Sequence, residues 1–264
     1  MTINNISPLR YPGGKTRACK KLHHILQEHF DLNNFDSIVS PFFGGGSFEF
    51  FLQSHYNLKI YANDKFTPLC NFWKCCQEYK NEMCTILYTK INKITKAEFK
   101  NMQTKIVTET DLLNQAIMYF MINRSSFSGC TLSGGFSLES STKRFTKSSI
   151  DRISELDLSH IEFLNEDFEE FLQRPFEKCI YFIDPPYYLE NKSNLYGTNG
   201  DLHESFDHEK LNKCLRMKRN WIVTYNNCDF IRDLYKEYKI IETCWTYGMN
   251  SSKKSSEIVI ISQT

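Results

Sequence analysis

The sequence predicts an α/β fold in which a mostly helical segment interrupts a parallel sheet. Two buried-strand patterns, at residues 37–42 and 58–64, flank a glycine-rich turn and the start of a helix. A strand, a turn, a helix and a second strand in this order are typical of parallel sheets. From about residue 65 to 122 the apolar residues recur with helical spacing, and strand patterns return only after about residue 150.

The spacing of the apolar residues predicts each element. Leu22, Ile25 and Leu26 share one helical face, which predicts a first helix within residues 15–30. Further helices are predicted from residue 48 and at 65–80, 83–94, 96–103, 111–122, 207–218 and 228–237. Further strands are predicted near 161–164 and at 179–183, 220–225, 238–246 and 256–262. Residues 123–145, rich in Ser and Gly, predict an irregular loop or small hairpin. We therefore divide the chain into a sheet-containing part, 1–69 and 149–264, and an insertion, 70–148.

The composition, 41% hydrophobic and 24% charged, is that of an ordinary globular protein. No apolar run approaches the ~18 residues of a membrane helix, and residues 1–14 lack the apolar core of a signal peptide. The ten cysteines include no CxxC pair, which favours free thiols in a reducing compartment over disulfides. We therefore expect an intracellular, cytoplasmic protein with no membrane partner. A net charge of +1 neither requires nor excludes nucleic acid, since binding needs only a local basic face.

The glycine-rich segment FFGGGSFEF, residues 42–50, lies where doubly wound sheets bind nucleotide-like ligands, between a strand and a helix. Gly44 and Gly46 fit the GxGxxG pattern, but Glu49 occupies its third glycine position, which disfavours a dinucleotide pyrophosphate site. Asp64 follows Gly44 by 20 residues, at the end of the next strand, where an acid can accept hydrogen bonds from both ribose hydroxyls. The pattern favours a smaller adenosine ligand, with a tight turn and a solvated acid as the alternative.

Two other segments look like known binding motifs but lack residues or spacings that those motifs need. The segment YPGGKT, residues 11–16, ends like a phosphate-binding loop, but Leu9 stands where that motif needs a glycine. His203 and His208 are five residues apart and so lie on different helix faces, unlike the histidines of a zinc-binding HExxH motif. We therefore predict neither a P-loop nor a metal site.

The segment CIYFIDPPYYLE, residues 179–190, predicts a receptor for an amino group on a planar heterocycle. Pro185 and Pro186 cannot donate backbone hydrogen bonds, so the strand ends at Asp184. The Asp184 carboxylate accepts one amino hydrogen, a proline carbonyl accepts the other, and Tyr187 offers a flat face to the ring. Held in this way, the nitrogen is favoured in the tetrahedral geometry that it must reach when it attacks a sulfonium methyl group.

Taken together, these segments resemble the DNA adenine-N6 methyltransferases of the Dam type, the D12 class. The resemblance rests on RYPGGK near the start, on residues 43–46, on Asp64 and on residues 184–187, and it spans nearly the whole chain. It implies a Rossmann-like methyltransferase fold that binds S-adenosyl-L-methionine, with a target-recognition insertion and double-stranded DNA as the partner. The target adenine would be flipped into a pocket at Tyr187, and residues 188–206 could close over it.

The resemblance implies a cofactor site made of Tyr11, Lys15, Phe43, Gly44, Gly46, Asp64, Phe168 and Asp184. Tyr11 stands where the commoner family form has Trp. Asp64 would hold the ribose, and Asp184 would lie between the methionine part of the cofactor and the target amino group. Phe168 resembles an aromatic residue that packs on the cofactor adenine, and a helix-core role is its alternative.

The segment NRSSFSG, residues 123–129, resembles a family loop that contacts DNA. By this resemblance Phe127 would intercalate or stack near the target, and Ser128 replaces the usual Asn. Arg124 is either a phosphate contact or a structural ion-pair partner. Leu132 stands where the family has an arginine, so GATC is not expected as the main target.

Several alternatives stay open at this point. The same fold could methylate cytosine N4, RNA adenine or a protein amide, although Asp before PPY favours adenine by the family pattern. A non-catalytic DNA-binding relative and, last, a Rossmann oxidoreductase are the other classes. Lys253 and Lys254 are either phosphate contacts or plain solubilising charges. We further expect a monomer or weak dimer, with a cognate restriction endonuclease as one conceivable partner.

Overall fold

The computed structural model describes residues 3–11, 13–188, 206–245 and 256–262. Its strands are β1 (Ser37–Ser40), β2 (Lys59–Asn63), β3 (Ile161–Leu164), β4 (Cys179–Ile183), β5 (Trp221–Asn226), β6 (Lys239–Thr243) and β7 (Glu257–Ile261). They form one sheet in the order β3–β2–β1–β4–β5–β7–β6. The strands β1 to β5 pair in parallel, whereas β7 runs antiparallel to both β5 and β6. The predicted α/β class is confirmed.

The helices of the first half are α1 (Cys19–Gln27), α2 (Ser47–Tyr56), α3 (Thr67–Glu78), α4 (Lys80–Lys90), α5 (Lys96–Lys105) and α6 (Leu112–Ser125). Those of the second half are α7 (Leu138–Lys143), α8 (Lys147–Ser154), α9 (Phe168–Gln173), α10 (His208–Arg216) and α11 (Asp229–Leu234). Short 3-10 turns occur at Lys15–Arg17, Leu32–Asn34 and Phe127–Gly129. Within the described residues, none of the helices combines the length and the apolar character that a membrane span requires.

Helices pack on both faces of the sheet, so strands such as β4 are buried along their whole length. All positions of β1, β4 and β7 are buried, as expected when a parallel sheet is covered on both sides. Along β4, Ile180 and Phe182 pack into the larger core with α1 and the insertion. Tyr181 and Ile183 point to the opposite face and pack with α9 and α10.

The insertion shares the larger core with the sheet. Trp73 of α3 and Phe120 of α6 belong to the same buried cluster as Ile38 of β1. The predicted boundaries at residues 70 and 149 fall inside α3 and α8, and the division into two parts stays a prediction.

Helix α7 forms within the segment that was predicted to be irregular, and α8 follows it directly. The side chain of Ser137 accepts a hydrogen bond from the Ser140 backbone N–H, which caps the start of α7. Thr146 and Ser149 form a reciprocal capping box at α8. These Ser and Thr residues, typical of loops, are therefore the caps of two helices.

Candidate active site

The candidate site lies at the edge of the sheet where the parallel strands end. Because β1, β2, β4 and β5 run in the same direction, the residues after them meet there. The glycine turn follows β1, Asp64 follows β2, and Asp184 follows β4. The sequence-predicted motifs are thus brought to one edge.

The glycine turn is shaped by aromatic rings packed against it. Gly44 and Gly46 have φ angles of 51° and 65°, which residues with a Cβ atom rarely adopt. A Cβ atom at Gly46 would lie 2.3 Å from the Phe43 ring, and one at Gly44 would lie 2.8 Å from the Tyr11 ring. Glycine is therefore required here by both conformation and space.

Phe43 and Tyr11 support the turn from different sides. The Phe43 side chain is buried and contacts the rings of Phe50, Trp73 and Phe163, so only its backbone belongs to the surface of the turn. Tyr11, which is partly buried, packs on Gly44 and Gly45.

Both backbone polar groups of Gly44 are already bonded within the protein. Its N–H donates to Asp64 Oδ2 at 3.0 Å, and its carbonyl accepts from Trp73 Nε1 at 3.0 Å. The turn therefore offers a ligand a close backbone approach rather than these two groups as new partners.

Asp64 is held rigidly beside the turn. Its second oxygen, Oδ1, accepts the Phe66 N–H at 2.9 Å. Burial raises the pKa of Asp64 to about 6, while the hydrogen bonds from Phe66 and Gly44 oppose that rise. Each carboxylate oxygen keeps a lone pair for a further donor. A fixed acid beside a glycine turn fits the two hydroxyls of a ribose.

Lys15 and Asp184 form a buried ion pair. Lys15 Nζ lies 2.6 Å from both carboxylate oxygens and also donates to the Gly13 carbonyl at 3.0 Å. The Lys15 side chain is 3% exposed and that of Asp184 is 21% exposed. Since an ammonium group has three hydrogens, every donor of Lys15 has an acceptor.

Thr224 of β5 also contacts Asp184. Its hydroxyl donates to Asp184 Oδ1 at 2.5 Å, and the residue is fully buried. Thr224 is not among the site residues predicted from the sequence, because a threonine inside an apolar strand gives no sign of its partner.

Residues 185–187 place an aromatic face next to the carboxylate. Pro185 is buried, while Pro186 and Tyr187 are partly exposed. Lys15 Nζ lies 5.1 Å from the centre of the Tyr187 ring, and the centre of the Tyr225 ring lies 6.1 Å from it. Tyr187 is therefore fixed near Asp184 and still accessible to a planar ligand.

An aromatic surface follows at the ends of β1 and β3. The Phe168 ring lies 5.7 Å from that of Phe42 and 5.3 Å from that of Phe206. Phe168 is 8% exposed, so its ring belongs largely to the helix core and has only a small accessible edge. Both predicted roles of Phe168 are compatible with this placement.

Glu49 is a buried acid directly beneath the site. It lies in the first turn of α2, is 2% exposed, and accepts a hydrogen bond from Ser40 Oγ at 2.5 Å. Burial raises its pKa to about 7, with a smaller contribution in the same direction from Asp184. Its position within the apolar run FEFF was a signal that the sequence analysis used only to reject a dinucleotide motif.

The predicted DNA-contacting segment begins in the core and ends at the surface. Asn123 is buried and exchanges two hydrogen bonds with the Arg10 backbone, at 2.9 and 2.7 Å. Arg124 is 7% exposed and donates to the carbonyls of Arg144 and Pro8. Burial lowers the pKa of Arg124, with further contributions from nearby arginines. Arg124 thus holds backbone segments together, is not at the surface, and has no acidic partner among the described residues.

The surface part of this segment carries an exposed aromatic ring. Phe127 is 68% exposed, and Ser128 beside it has a φ angle of 58°. An isolated antiparallel bridge between Ser126 and Phe136 joins the two ends of the turn that carries Phe127. Leu132 is partly buried. Residues 189–205, which include His203, and Lys253 and Lys254 lie outside the described residues.

Comparison with known proteins identifies the family. A search among curated proteins finds no match. A family model described as D12 class N6 adenine-specific DNA methyltransferase matches residues 11–249, most of the 264-residue chain. The matched region contains the glycine turn, Asp64, the insertion and Asp184. The family implies adenine-N6 methylation of DNA, as the sequence motifs predicted. The chain therefore belongs to the D12 class of N6 adenine-specific DNA methyltransferases, a family of enzymes.

Proposed function

We propose that the chain transfers a methyl group from S-adenosyl-L-methionine to N6 of an adenine that is flipped out of double-stranded DNA. The observation that carries this proposal is the position of Asp184. It ends β4 beside Tyr187, at the same edge as the glycine turn and Asp64. The proposed surface for adenosine and the proposed surface for the amino group of a planar base therefore meet at the Asp184 carboxylate.

The described residues fit the adenosine part of the cofactor. Asp64 retains acceptor capacity for the ribose hydroxyls, and the glycine turn allows the backbone to approach the ligand. When bound, the cofactor supplies an electrophilic methyl group on a sulfonium. The proposal places the cofactor adenine near the rings of Tyr11, which packs on Gly44, and of Phe168, which packs on Phe42.

The residues at the end of β4 prepare the target nitrogen for attack. Asp184 accepts one amino hydrogen and the carbonyl of Pro185 accepts the other, while Tyr187 stacks on the base. As the nitrogen becomes positive, the negative carboxylate stabilises that charge. Lys15 keeps the carboxylate paired while no target base is present.

Base flipping is part of the proposal because the Asp184 side chain is only 21% exposed. The N6 atom of a paired adenine cannot reach a carboxylate at the edge of the sheet while the base remains stacked. Phe127, exposed on the insertion, has the character of a side chain that fills the space left by the base.

Expression in a host without DNA methylation, followed by single-molecule sequencing of the host DNA, tests the proposal. We expect N6-methyladenine at one short motif that is not GATC, and a much smaller modified fraction at that motif with the Asp184→Asn variant. N4-methylcytosine, or no modification by a folded wild-type protein, would contradict the proposed function. Protection of the same DNA from a methylation-sensitive nuclease that cuts GATC would contradict the expected motif.

A further inference from the structure

Thr224 occupies a position where a hydroxyl group is unusual. Along β5, Ile222 faces the larger core and Trp221 and Val223 face the smaller one, so Thr224 shares the side of Ile222. The residue has no exposed surface, and the residue opposite it on β7 is the apolar Val259. A buried hydroxyl needs a partner, and the partner of Thr224 is Asp184.

The register of the sheet explains why these two residues meet. Strands β4 and β5 are parallel, with Ile183 opposite Val223. One step further along both strands, Asp184 and Thr224 point to the same face. Since the carboxylate has no hydrogen, the hydroxyl is the donor in their 2.5 Å hydrogen bond.

This contact makes the two oxygens of Asp184 different. Oδ1 accepts hydrogen bonds from Thr224 and Lys15, whereas Oδ2 accepts one from Lys15 within the described residues. A carboxylate oxygen has two lone pairs, so Oδ1 is saturated and Oδ2 can accept one more hydrogen. The amino group of a target base therefore has one available position on this carboxylate.

We propose that Thr224 is a positioning residue that fixes the Asp184 carboxylate so that Oδ2 accepts the hydrogen of the target amino group. The proposal rests on the proposed function and extends it to the orientation of the carboxylate. Without the hydroxyl, Lys15 is the remaining restraint on the carboxylate among the described residues, so the carboxylate can rotate and misalign the nitrogen lone pair during attack.

Single-turnover methyl transfer with three variants tests this role, on DNA that carries the motif found by sequencing. Thr224→Val keeps the shape of the side chain and removes the donor, so we expect a rate about 10- to 100-fold lower. Thr224→Ser restores the donor and should retain most of the rate. Thr243→Val is the matched control, since Thr243 is a buried threonine of the same sheet whose hydroxyl has no partner among the described residues.

Two further readouts separate positioning from a purely structural role. Cofactor affinity by calorimetry should stay within about twofold for Thr224→Val, because the adenosine surface is unchanged. Fluorescence of 2-aminopurine at the target position should report normal base flipping, because this analogue lacks the 6-amino group that Asp184 holds. A Thr224→Val enzyme with the wild-type rate, or a Thr224→Ser enzyme as slow as Thr224→Val, would overturn the proposal. A wild-type protein that methylates no adenine would instead refute the proposed function.

Discussion

Lys15 Nζ lies 2.6 Å from both carboxylate oxygens of Asp184, which joins residues 169 positions apart in the chain. The ammonium group is almost fully buried, so water cannot take the place of the carboxylate as its partner. Removing one partner of such a pair leaves an uncompensated charge in the protein.

The ion pair predicts a specific pattern of stability. Lys15→Met should lower the free energy of unfolding by about 2–3 kcal/mol, below the usual cost for a fully buried pair because Asp184 keeps some exposure. Adding Asp184→Asn should recover part of this loss, since the unpaired charge is then gone. Urea denaturation of the two single variants and the double variant measures the coupling. Additive losses would show that the two groups do not depend on each other.

Asp184 and Tyr187 should affect different steps of the reaction. Asp184→Asn should lower the single-turnover rate by about 100- to 1,000-fold, because it removes the charge that faces the developing positive nitrogen. Tyr187→Ala should weaken capture of the flipped base by about 1–3 kcal/mol, the value of one aromatic stack. Asp36→Asn, which alters an exposed acid before β1 at the opposite edge of the sheet, is the control. Near wild-type turnover by Asp184→Asn would mean that the carboxylate is only structural.

Cofactor affinity should depend on pH through Asp64. Its pKa of about 6 means that the carboxylate gains a proton as the pH falls through 6 and then accepts fewer hydrogen bonds. We therefore expect weaker cofactor binding at pH 5 than at pH 8, and a loss of about 1–3 kcal/mol at pH 8 for Asp64→Ala. Calorimetry across this range checks both, with Asp64→Asn expected to give a flatter profile. Unchanged cofactor affinity of a folded Asp64→Ala variant at pH 8 would exclude Asp64 from the site.

Glu49 should make the protein less stable as the pH rises. Its folded-state pKa of about 7 exceeds its value in an unfolded chain, so the folded state holds the proton more tightly. The resulting stabilisation is complete below about pH 4.5 and is lost as the pH rises through 7. Glu49→Gln keeps the shape without a charge, and we expect it to raise the free energy of unfolding by about 1–3 kcal/mol at pH 8. At pH 5 the two proteins should differ little. Equal denaturation midpoints at pH 8 would show that the charge of Glu49 is compensated.

Phe127 should act on DNA and leave the cofactor unaffected. Phe127→Ala removes an exposed ring on the insertion, and we expect weaker 2-aminopurine fluorescence at the target position together with unchanged cofactor affinity. Met217→Ala is a suitable control, because Met217 is 84% exposed and lies just before β5, at the edge opposite the site. Equal 2-aminopurine fluorescence with both variants would show that Phe127 has no role in base flipping.

The sheet was predictable because buried parallel strands are short apolar runs. The strands β3 and β4 were predicted at their observed bounds, and the acids after β2 and β4 marked the edge of the site. Helix α7 was not predicted because its serine cap is a residue typical of loops. The predictions of a weak dimer or monomer and of an endonuclease partner stay predictions.

The details of the site depend on contacts that sequence spacing does not encode. The letters NR at 123–124 suggested a DNA contact, yet Arg124 is fixed by the carbonyls of Arg144 and Pro8. Phe43 lies in the glycine motif, but its ring is buried beneath the turn. Thr224 reaches Asp184 across 40 residues, through a strand register that only the folded sheet defines.

The hydrogen bond from Trp73 to the Gly44 carbonyl ties α3, in the insertion proposed to recognise DNA, to the glycine turn proposed to receive the cofactor. If DNA binding rearranges α3, we therefore expect the glycine turn, the proposed adenosine site, to change with it. Thermodynamic linkage then makes the effect reciprocal. If bound DNA changes the dissociation constant of the cofactor by some factor, bound cofactor must change the dissociation constant of the DNA by the same factor.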